Sequence, residues 1–314
     1  MNILVTGGAG FIGANLVSML AENKHTIAIL DNLSTEASLT RAAMLKRTYD
    51  VPTDTRDIKD ISDVLREYIR IDAITHLASP ISVQESIKNP HEYRKDINEG
   101  TLHVLEAAKQ RNIRRVVLAS TAAVYGNPNV VPIREGHPVD PLTPYATEKY
   151  AAECHARMFA REHGLETVIL RLFNVYGPGQ DARSPYSGVI AKFMQCFLND
   201  KPPIIYGDGE QTRDFIYVSD VVDAFHCALT KQVEPGLTVN IGEGKACSIN
   251  LLVKMIEGCR AQVIKPIYQE ARPGDILHSE ADIKRAHKHL GWRPHTPQGE
   301  GMLKTWEWYA KQSY

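Results

Sequence analysis

Apolar positions cluster first in a short β-branched run, Asn2–Thr6, and comparable runs recur at Thr26–Leu30, Thr48–Thr53, Ala73–Leu77, Arg115–Ser120 and Thr167–Phe173. The run at 48–53 is the weakest of these. Between them the apolar residues change period: Phe11, Ile12, Leu16, Val17 and Leu20 recur at helical spacing. Strands that are nearly continuous in apolar residues and alternate with helices bury both of their faces. The pattern therefore predicts an α/β fold, a doubly wound parallel sheet with helices on each side. From about Asn174 the regularity loosens into Gly/Pro-rich segments, among them Gly177-Pro178-Gly179, Pro202-Pro203 and Gly207-Asp208-Gly209. This predicts a domain over residues 1–173 and a smaller mixed α/β region over 174–314. Part of 214–241 is expected to pack back on the first domain, with a cleft between the two.

Composition narrows the classes of function. Of 314 residues 43% are hydrophobic and 23% charged, and the formal net charge is -1. Such a balance leaves no broad basic field for nucleic acid and no polybasic patch for a membrane surface, so an anionic ligand has to be met by a few placed donors. No apolar run approaches the roughly 20 residues of a membrane helix. The chain passes directly from Met1 into a strand, without a signal-like leader, and a cytoplasmic location is expected. The five cysteines, Cys154, Cys196, Cys227, Cys247 and Cys259, are odd in number and include no Cys-x-x-Cys pair. Neither a disulfide framework nor a structural metal site is expected, and the cysteines read as buried small hydrophobes.

The first strand runs into Thr6-Gly7-Gly8-Ala9-Gly10-Phe11-Ile12-Gly13, which satisfies both Gly-x-Gly-x-x-Gly and Gly-x-x-Gly-x-x-Gly. Glycines at these places allow a tight turn and a close backbone approach, so that a pyrophosphate can rest on the N–H groups and positive dipole of the following helix. Strand before and helix after are the context that a Rossmann-type dinucleotide site requires. Asp31 ends the second strand about 20 residues further on, where a carboxylate can accept from both adenosine ribose hydroxyls. It would repel a 2'-phosphate, and no arginine follows in Asn32-Leu33-Ser34-Thr35, so NAD is expected rather than NADP. The other reading of Asp31 is a turn residue that caps the next helix.

Tyr145 and Lys149 stand four residues apart on one face of a helix that opens after Pro141 and Pro144. A free phenol has a pKa near 10, and a neighbouring ammonium together with an oxidised nicotinamide would lower it, providing a phenolate base near neutral pH. A further strand ends in Ala119-Ser120-Thr121, which puts hydroxyls at the carboxyl edge where doubly wound folds bind ligands.

With these motifs in this order, the chain resembles the extended short-chain dehydrogenase/reductases, and within them the UDP-hexose 4-epimerases. The resemblance extends over nearly the whole chain, through Thr6 to Gly13, Asp31 to Ser34, His76 to Ser79, Asn98, Ser120 to Gly126, Tyr145 to Lys149, Arg171 to Pro178, Tyr206 to Asp220 and Arg272 to Asp275. It implies that Tyr145 is the general base, that Lys149 holds the nicotinamide ribose and tunes Tyr145, and that Thr121 hydrogen-bonds the reacting 4-hydroxyl. NAD would be held by Gly7, Gly10, Phe11, Ile12, Gly13, Asp31, Asn32, Ser34, Leu77, Ala78, Ser79 and Asn98. Asp54 and Thr55 would meet the adenine, although the family usually has Ile where Thr55 stands. The UDP-sugar would be held by Ser82, Ala122, Asn174, Arg213, Arg272 and Asp275, with its uracil side near Val189 and Tyr206. Ser279, where relatives restricted to UDP-glucose and UDP-galactose carry a bulky Tyr, would line the hexose pocket and leave room for an N-acetyl group.

The activity so implied is inversion at carbon 4 of a UDP-hexose with tightly bound NAD, interconverting UDP-N-acetylglucosamine and UDP-N-acetylgalactosamine as well as UDP-glucose and UDP-galactose. UDP-glucuronate epimerisation is the alternative within the same chemistry. The related 4,6-dehydratases and decarboxylases carry acids directly after the strand-end Thr, where this chain has Ala122 and Ala123. A non-catalytic NAD-sensing module tends to lose the Tyr/Lys pair, which is present here. The resemblance also implies a homodimer through helices around Leu102–Lys109 and Tyr150–Arg161.

Overall fold

The computed structural model describes residues 1–183, 188–260, 263–271 and 276–312. The strands are, along the chain, β1 (Asn2–Thr6), β2 (Thr26–Leu30), β3 (Thr53–Asp54), β4 (Ala73–His76), β5 (Arg115–Thr121), β6 (Glu166–Leu172), β7 (Asn174–Tyr176), β8 (Ile204–Tyr206), β9 (Thr212–Tyr217), β10 (Leu237–Ile241), β11 (Ala246–Ser248) and β12 (Ile267–Gln269). Seven of them form one parallel sheet in the order β10-β6-β5-β4-β1-β2-β3. This is the doubly wound α/β architecture that the alternation of runs predicts. β1 pairs with β2 on one side and β4 on the other, so the chain reverses its winding there and leaves a crevice at the carboxyl ends of β1 and β4.

Helices α1 (Phe11–Glu22), α2 (Glu36–Tyr49), α3 (Ile61–Arg66), α4 (Val83–Lys88), α5 (Pro90–Tyr93), α6 (Gly100–Gln110) and α7 (Pro144–His163) connect these strands. Burial of both sheet faces follows from the strands themselves: Ile3 and Val5 of β1 point into one apolar cluster, Leu4 between them into the other. The long α7 has local reasons for its limits. Thr143 accepts from the N–H of Ala146, Pro144 occupies the first turn, and Gly164 closes the helix in the left-handed region at φ +66°.

The third strand corrects the expectation at Thr48–Thr53. Thr48 and Tyr49 belong to α2, and only Thr53 and Asp54 pair with β2. Thr35 and Ser38 cap α2 reciprocally, which starts a helix strong enough to run on to Tyr49, and Asp50 then turns left-handed at φ +56°.

Beyond β7 follow α8 (Val189–Leu198), α9 (Val218–Thr230), α10 (Ile249–Arg260), α11 (Lys284–Leu290) and α12 (Gln298–Lys311). β7, β9 and β11 form a mixed sheet, and β8 pairs with β12. Helices α8, α10 and α12 bury Met194, Phe197, Leu252, Ile256 and Tyr309 in a separate apolar cluster. Residues of α9 and β10, by contrast, belong to the core of the large sheet, where Phe225 and Val239 are wholly buried. Among the described residues no helix is long and apolar enough to cross a membrane. Of the cysteines only Cys247 is buried and Cys154 is exposed, so the expectation that all five are buried hydrophobes is corrected.

Candidate active site

The glycine turn fills the crevice between β1 and β4. A Cβ on Gly7, itself at φ +69°, would lie 2.6 Å from the amide nitrogen of Ala78, and one on Gly13 would lie 2.1 Å from the carbonyl oxygen of Gly7. Both glycines are thus needed for backbone to pass against backbone. Gly10 differs: an added Cβ would meet only the Gly7 carbonyl, at 3.1 Å, so its other side faces open space. No side chain caps α1 at Gly10, which leaves the first N–H groups of the helix at Phe11 and Ile12 for an anion.

Asp31 borders this turn. Its carboxylate accepts from the N–H of Ala9 at 3.0 Å and of Leu33 at 3.0 Å, and its own N–H donates to the carbonyl of Asp54. It does not cap α2, a role that falls to Thr35. Asn32 accepts from the N–H of Ser34 at 3.3 Å. Leu77 and Ala78 lie directly against Gly7, and the hydroxyl of Ser79 donates to the carbonyl of Pro80. Asp54 is held by Arg56, whose hydrogen bond outweighs burial and keeps the carboxyl below its ordinary range, while Thr55 is exposed. An uncapped helix terminus, a glycine open on one side and a carboxylate at the end of β2 fit NAD.

Sequence reading missed two residues that tie this turn to the segment after β7. Arg41 of α2 donates to the carbonyls of Ala9 at 3.1 Å and Gly179 at 2.7 Å, and Asn15 of α1 donates to Pro178 at 3.1 Å. Arg41 stands ten residues past Asp31, and only the fold returns it to the turn, where it interacts electrostatically with Asp31. Asp31→Ala is therefore expected to relax the preference for NAD over NADP by about tenfold, since the repulsive carboxylate goes and the guanidinium stays. Equal ratios of dissociation constants in wild type and variant would count against this role.

Thr121, Tyr145 and Lys149 come together at the carboxyl end of β5. The Thr121 side chain stands beside the Tyr145 phenol and acts on its ionisation, and the ammonium of Lys149 donates to the carbonyl of Ala119 at 3.2 Å. Thr121 also accepts from the N–H of Ala123, which shapes the turn through Ala122. Burial pushes the Tyr145 phenol up to about 12, against the Thr121 hydrogen bond and aided by nearby Tyr93. Burial pulls Lys149 down to about 8, with Glu153 pushing the other way. In the chain by itself Tyr145 thus stands above an ordinary phenol, because removal from water outweighs the influence of Thr121.

Two further residues expected at the ligands have partners within the chain. Asn98 donates to Glu148 at 3.0 Å and its carbonyl lies 2.9 Å from Nε2 of His155, both on α7. It sits in a π-helical turn, Arg94–Glu99, whose extra residue per turn displaces side chains around the axis. The hydroxyl of Ser82 caps α4 by accepting from Glu85, and its N–H donates to the hydroxyl of Tyr93 at 3.1 Å. Tyr93, buried beside Tyr145, carries no sequence signal apart from an aromatic at helical spacing.

The small sheets and the elements beside them carry the remaining residues. Asn174 is exposed at the start of β7 and pairs in register with Phe215 of β9, two residues beyond Arg213. The N–H of Ser279 donates to the carbonyl of Thr212 at 3.2 Å, which places Ser279 beside Arg213, and Ser279 is buried, 8% exposed. Tyr206 ends β8, its carbonyl accepting from Gln211 at 2.7 Å, and Val189 opens α8. Arg272 and Asp275 lie outside the described residues.

The family model for the NAD dependent epimerase/dehydratase family matches residues 3–242. A Methanocaldococcus jannaschii protein provisionally named UDP-glucose 4-epimerase is 40% identical over 311 residues, 98% of this chain and 97% of that one. Among solved structures, UDP-glucose 4-epimerase of Thermotoga maritima with UDP-glucose superposes with a TM-score of 0.91 at 35% identity, covering 99% of each chain. UDP-N-acetylglucosamine 4-epimerase of Methanobrevibacter ruminantium, in complex with UDP-N-acetylmuramic acid, gives a TM-score of 0.91 at 34% identity over 98% of this chain and 97% of that one.

Proposed function

The chain belongs to the NAD-dependent epimerase/dehydratase family, and from that premise we propose that it inverts carbon 4 of a UDP-sugar, with UDP-N-acetylglucosamine and UDP-N-acetylgalactosamine among its substrates. The observation that carries the reaction type is the meeting of Thr121, Tyr145 and Lys149 at a strand end whose next residues, Ala122 and Ala123, offer no acid for dehydration.

In this reading residues 1–173 bind NAD and residues 174–314 bring the UDP-sugar over it. Gly7, Gly10 and Gly13 with the α1 terminus hold the pyrophosphate, and Asp31 the adenosine ribose. NAD, when bound, supplies the acceptor and donor of hydride at carbon 4. Thr121 orients the 4-hydroxyl, and Tyr145 takes its proton through the phenolic oxygen, leaving a 4-keto sugar. Lys149 provides the positive charge beneath the phenolate. The keto sugar turns about its phosphate linkage, presents its other face, and Tyr145 returns the proton. Arg213, with Arg272, neutralises the diphosphate by charge-assisted hydrogen bonds. The homodimer through α6 and α7 belongs to the same proposal.

Incubation with UDP-N-acetylglucosamine, UDP-glucose and UDP-glucuronate in turn, with the epimers resolved, tests the activity and its substrate together. The N-acetyl preference is supported by Ser279, a small buried side chain beside Arg213. Ser279→Tyr is expected to lower catalytic efficiency on UDP-N-acetylglucosamine relative to UDP-glucose by about tenfold or more, through steric overlap that the smaller hexose avoids. A ratio that does not move would place the pocket wall elsewhere.

A further inference from the structure

Beneath the reacting hydroxyls lies a layer of buried charge that the mechanism above leaves unused. Glu153 is one helical turn beyond Lys149 on the same face of α7, and none of it is exposed. Its Oε1 accepts from the hydroxyl of Ser120 at 2.6 Å and from Nε of Arg171 at 2.8 Å. Its Oε2 accepts from the terminal nitrogens of Arg171 at 2.6 Å and Arg157 at 3.0 Å. Burial alone would push this carboxyl up, but Arg171, Ser120 and Arg157 together hold it below its ordinary range. Arg171 is fixed in turn, its guanidinium 4.8 Å over the ring of Tyr125 and donating to the carbonyl of Glu135 at 3.3 Å. These three donors thus favour the charged form of Glu153.

Lys149 is as deeply placed, 6% exposed, and its hydrogen bond goes to a carbonyl, that of Ala119. A carbonyl orients an ammonium but does not neutralise it. The titratable groups around Lys149 are Tyr145 and Glu153, one turn to either side on its own helix, and His76 of β4. His76 lies between the hydroxyls of Thr6 and Thr101, and burial pulls it down to about 3, so it is neutral. Of these groups only Glu153 carries a fixed negative charge. Both side chains rest on adjacent residues at the end of β5, Lys149 on Ala119 and Glu153 on Ser120, immediately before Thr121.

We propose that Glu153 is a positioning residue for the reaction: its carboxylate, locked by Arg171, Arg157 and Ser120, is the buried counter-charge that keeps Lys149 an ammonium beside Tyr145. The inference rests on the assignment of Tyr145 and Lys149 to the reaction. Its sign is fixed by electrostatics. Lys149 already titrates at about 8, below an ordinary lysine, and loss of the negative charge lowers it further. The ammonium is then lost at lower pH, and turnover falls on the alkaline side.

Glu153→Gln keeps the shape and removes the charge. Two quantities are measured in wild type and variant: the pH profile of kcat, and the titration of Lys149 itself by NMR of 13C-labelled lysine, assigned with Lys149→Met. In Glu153→Gln the alkaline limb and the Lys149 midpoint are both expected to move about one pH unit down, a tenfold loss of rate on that limb, with the rate on the acid side little changed. Glu153→Gln leaves Arg171 buried without its partner and is at risk of misfolding, so Glu153→Gln/Arg171→Met, which removes both charges, is measured as well. A merely structural role would be restored in the double variant, whereas part of the shift is expected to persist there, reduced because loss of the Arg171 cation acts on Lys149 in the direction opposite to loss of the Glu153 anion. Glu153→Asp, which retains the charge, is expected to recover much of the shift. A wild-type limb and Lys149 midpoint in the folded single or double variant would overturn the inference. Absence of epimerisation by wild type would instead count against the Tyr145 and Lys149 assignment, and the NMR titration would still decide the role of Glu153.

Discussion

Tyr145→Phe is expected to lower epimerisation by about 10²-fold to 10⁴-fold, the range general base catalysis contributes, while NAD stays bound. The substitution removes one oxygen and almost no volume. What it takes away is the acceptor for the 4-hydroxyl proton and the partner of Thr121. The glycine turn, Asp31 and the α1 terminus are untouched, so the nucleotide released on denaturation should equal that of wild type. Because burial holds the phenol up at about 12 with Lys149 already one turn away, its ionisation near neutrality requires charge beyond what the chain itself supplies. The cofactor-free protein should therefore show no tyrosinate from this residue at neutral pH. Activity within about tenfold of wild type would remove Tyr145 from the role of base.

The other large effect is expected at Gly13. An alanine methyl would stand 2.1 Å from the Gly7 carbonyl oxygen and 2.8 Å from the α-carbon of Gly8. Both neighbours are backbone and cannot rotate away, so the turn must separate from α1. Gly13→Ala is expected to cost about 1–3 kcal/mol of stability, as overpacking does, and to weaken NAD binding by at least about 10²-fold, since the N–H groups no longer converge. Gly10→Ala is the control. Its methyl meets one atom at 3.1 Å on a side otherwise open, so stability is nearly retained while the methyl intrudes where the pyrophosphate would lie. Denaturant midpoints and the NAD content of the purified proteins separate the two. A Gly13→Ala protein with wild-type stability and full NAD would show that the turn tolerates a Cβ and that the motif does not hold the phosphate.

The legible part of this molecule was the part made of local pattern. A strand buried on both faces needs a continuous apolar run, and β1, β2, β4, β5 and β6 each have one, so the runs located them to within a residue or two at each end. The third strand was misplaced because two residues of edge pairing need no apolar run, while Thr48 and Tyr49 answer to the capped helix before them. The glycine turn, Asp31, the strand-end Thr121 and the pair Tyr145 and Lys149 were visible because each sits at a fixed offset from an element boundary.

Whatever depends on contacts between distant segments was not visible. Arg41 reaches Ala9 and Gly179 across 32 and 138 residues, and no local signal marks it. Asn98 was legible as a polar residue of this region, but its partners Glu148 and His155, 50 and 57 residues away, come to it only through the fold. Glu153 reads in the sequence as one more acidic residue on a helix, and only the fold buries it between Ser120, Arg157 and Arg171. The sequence by itself determined the order of elements and the chemistry carried at their ends, because backbone geometry and short-range periodicity act over a few residues. The tertiary structure alone decided which charges face one another out of water, because the sign and size of a pKa shift depend on burial and on neighbours that the chain brings together from far apart.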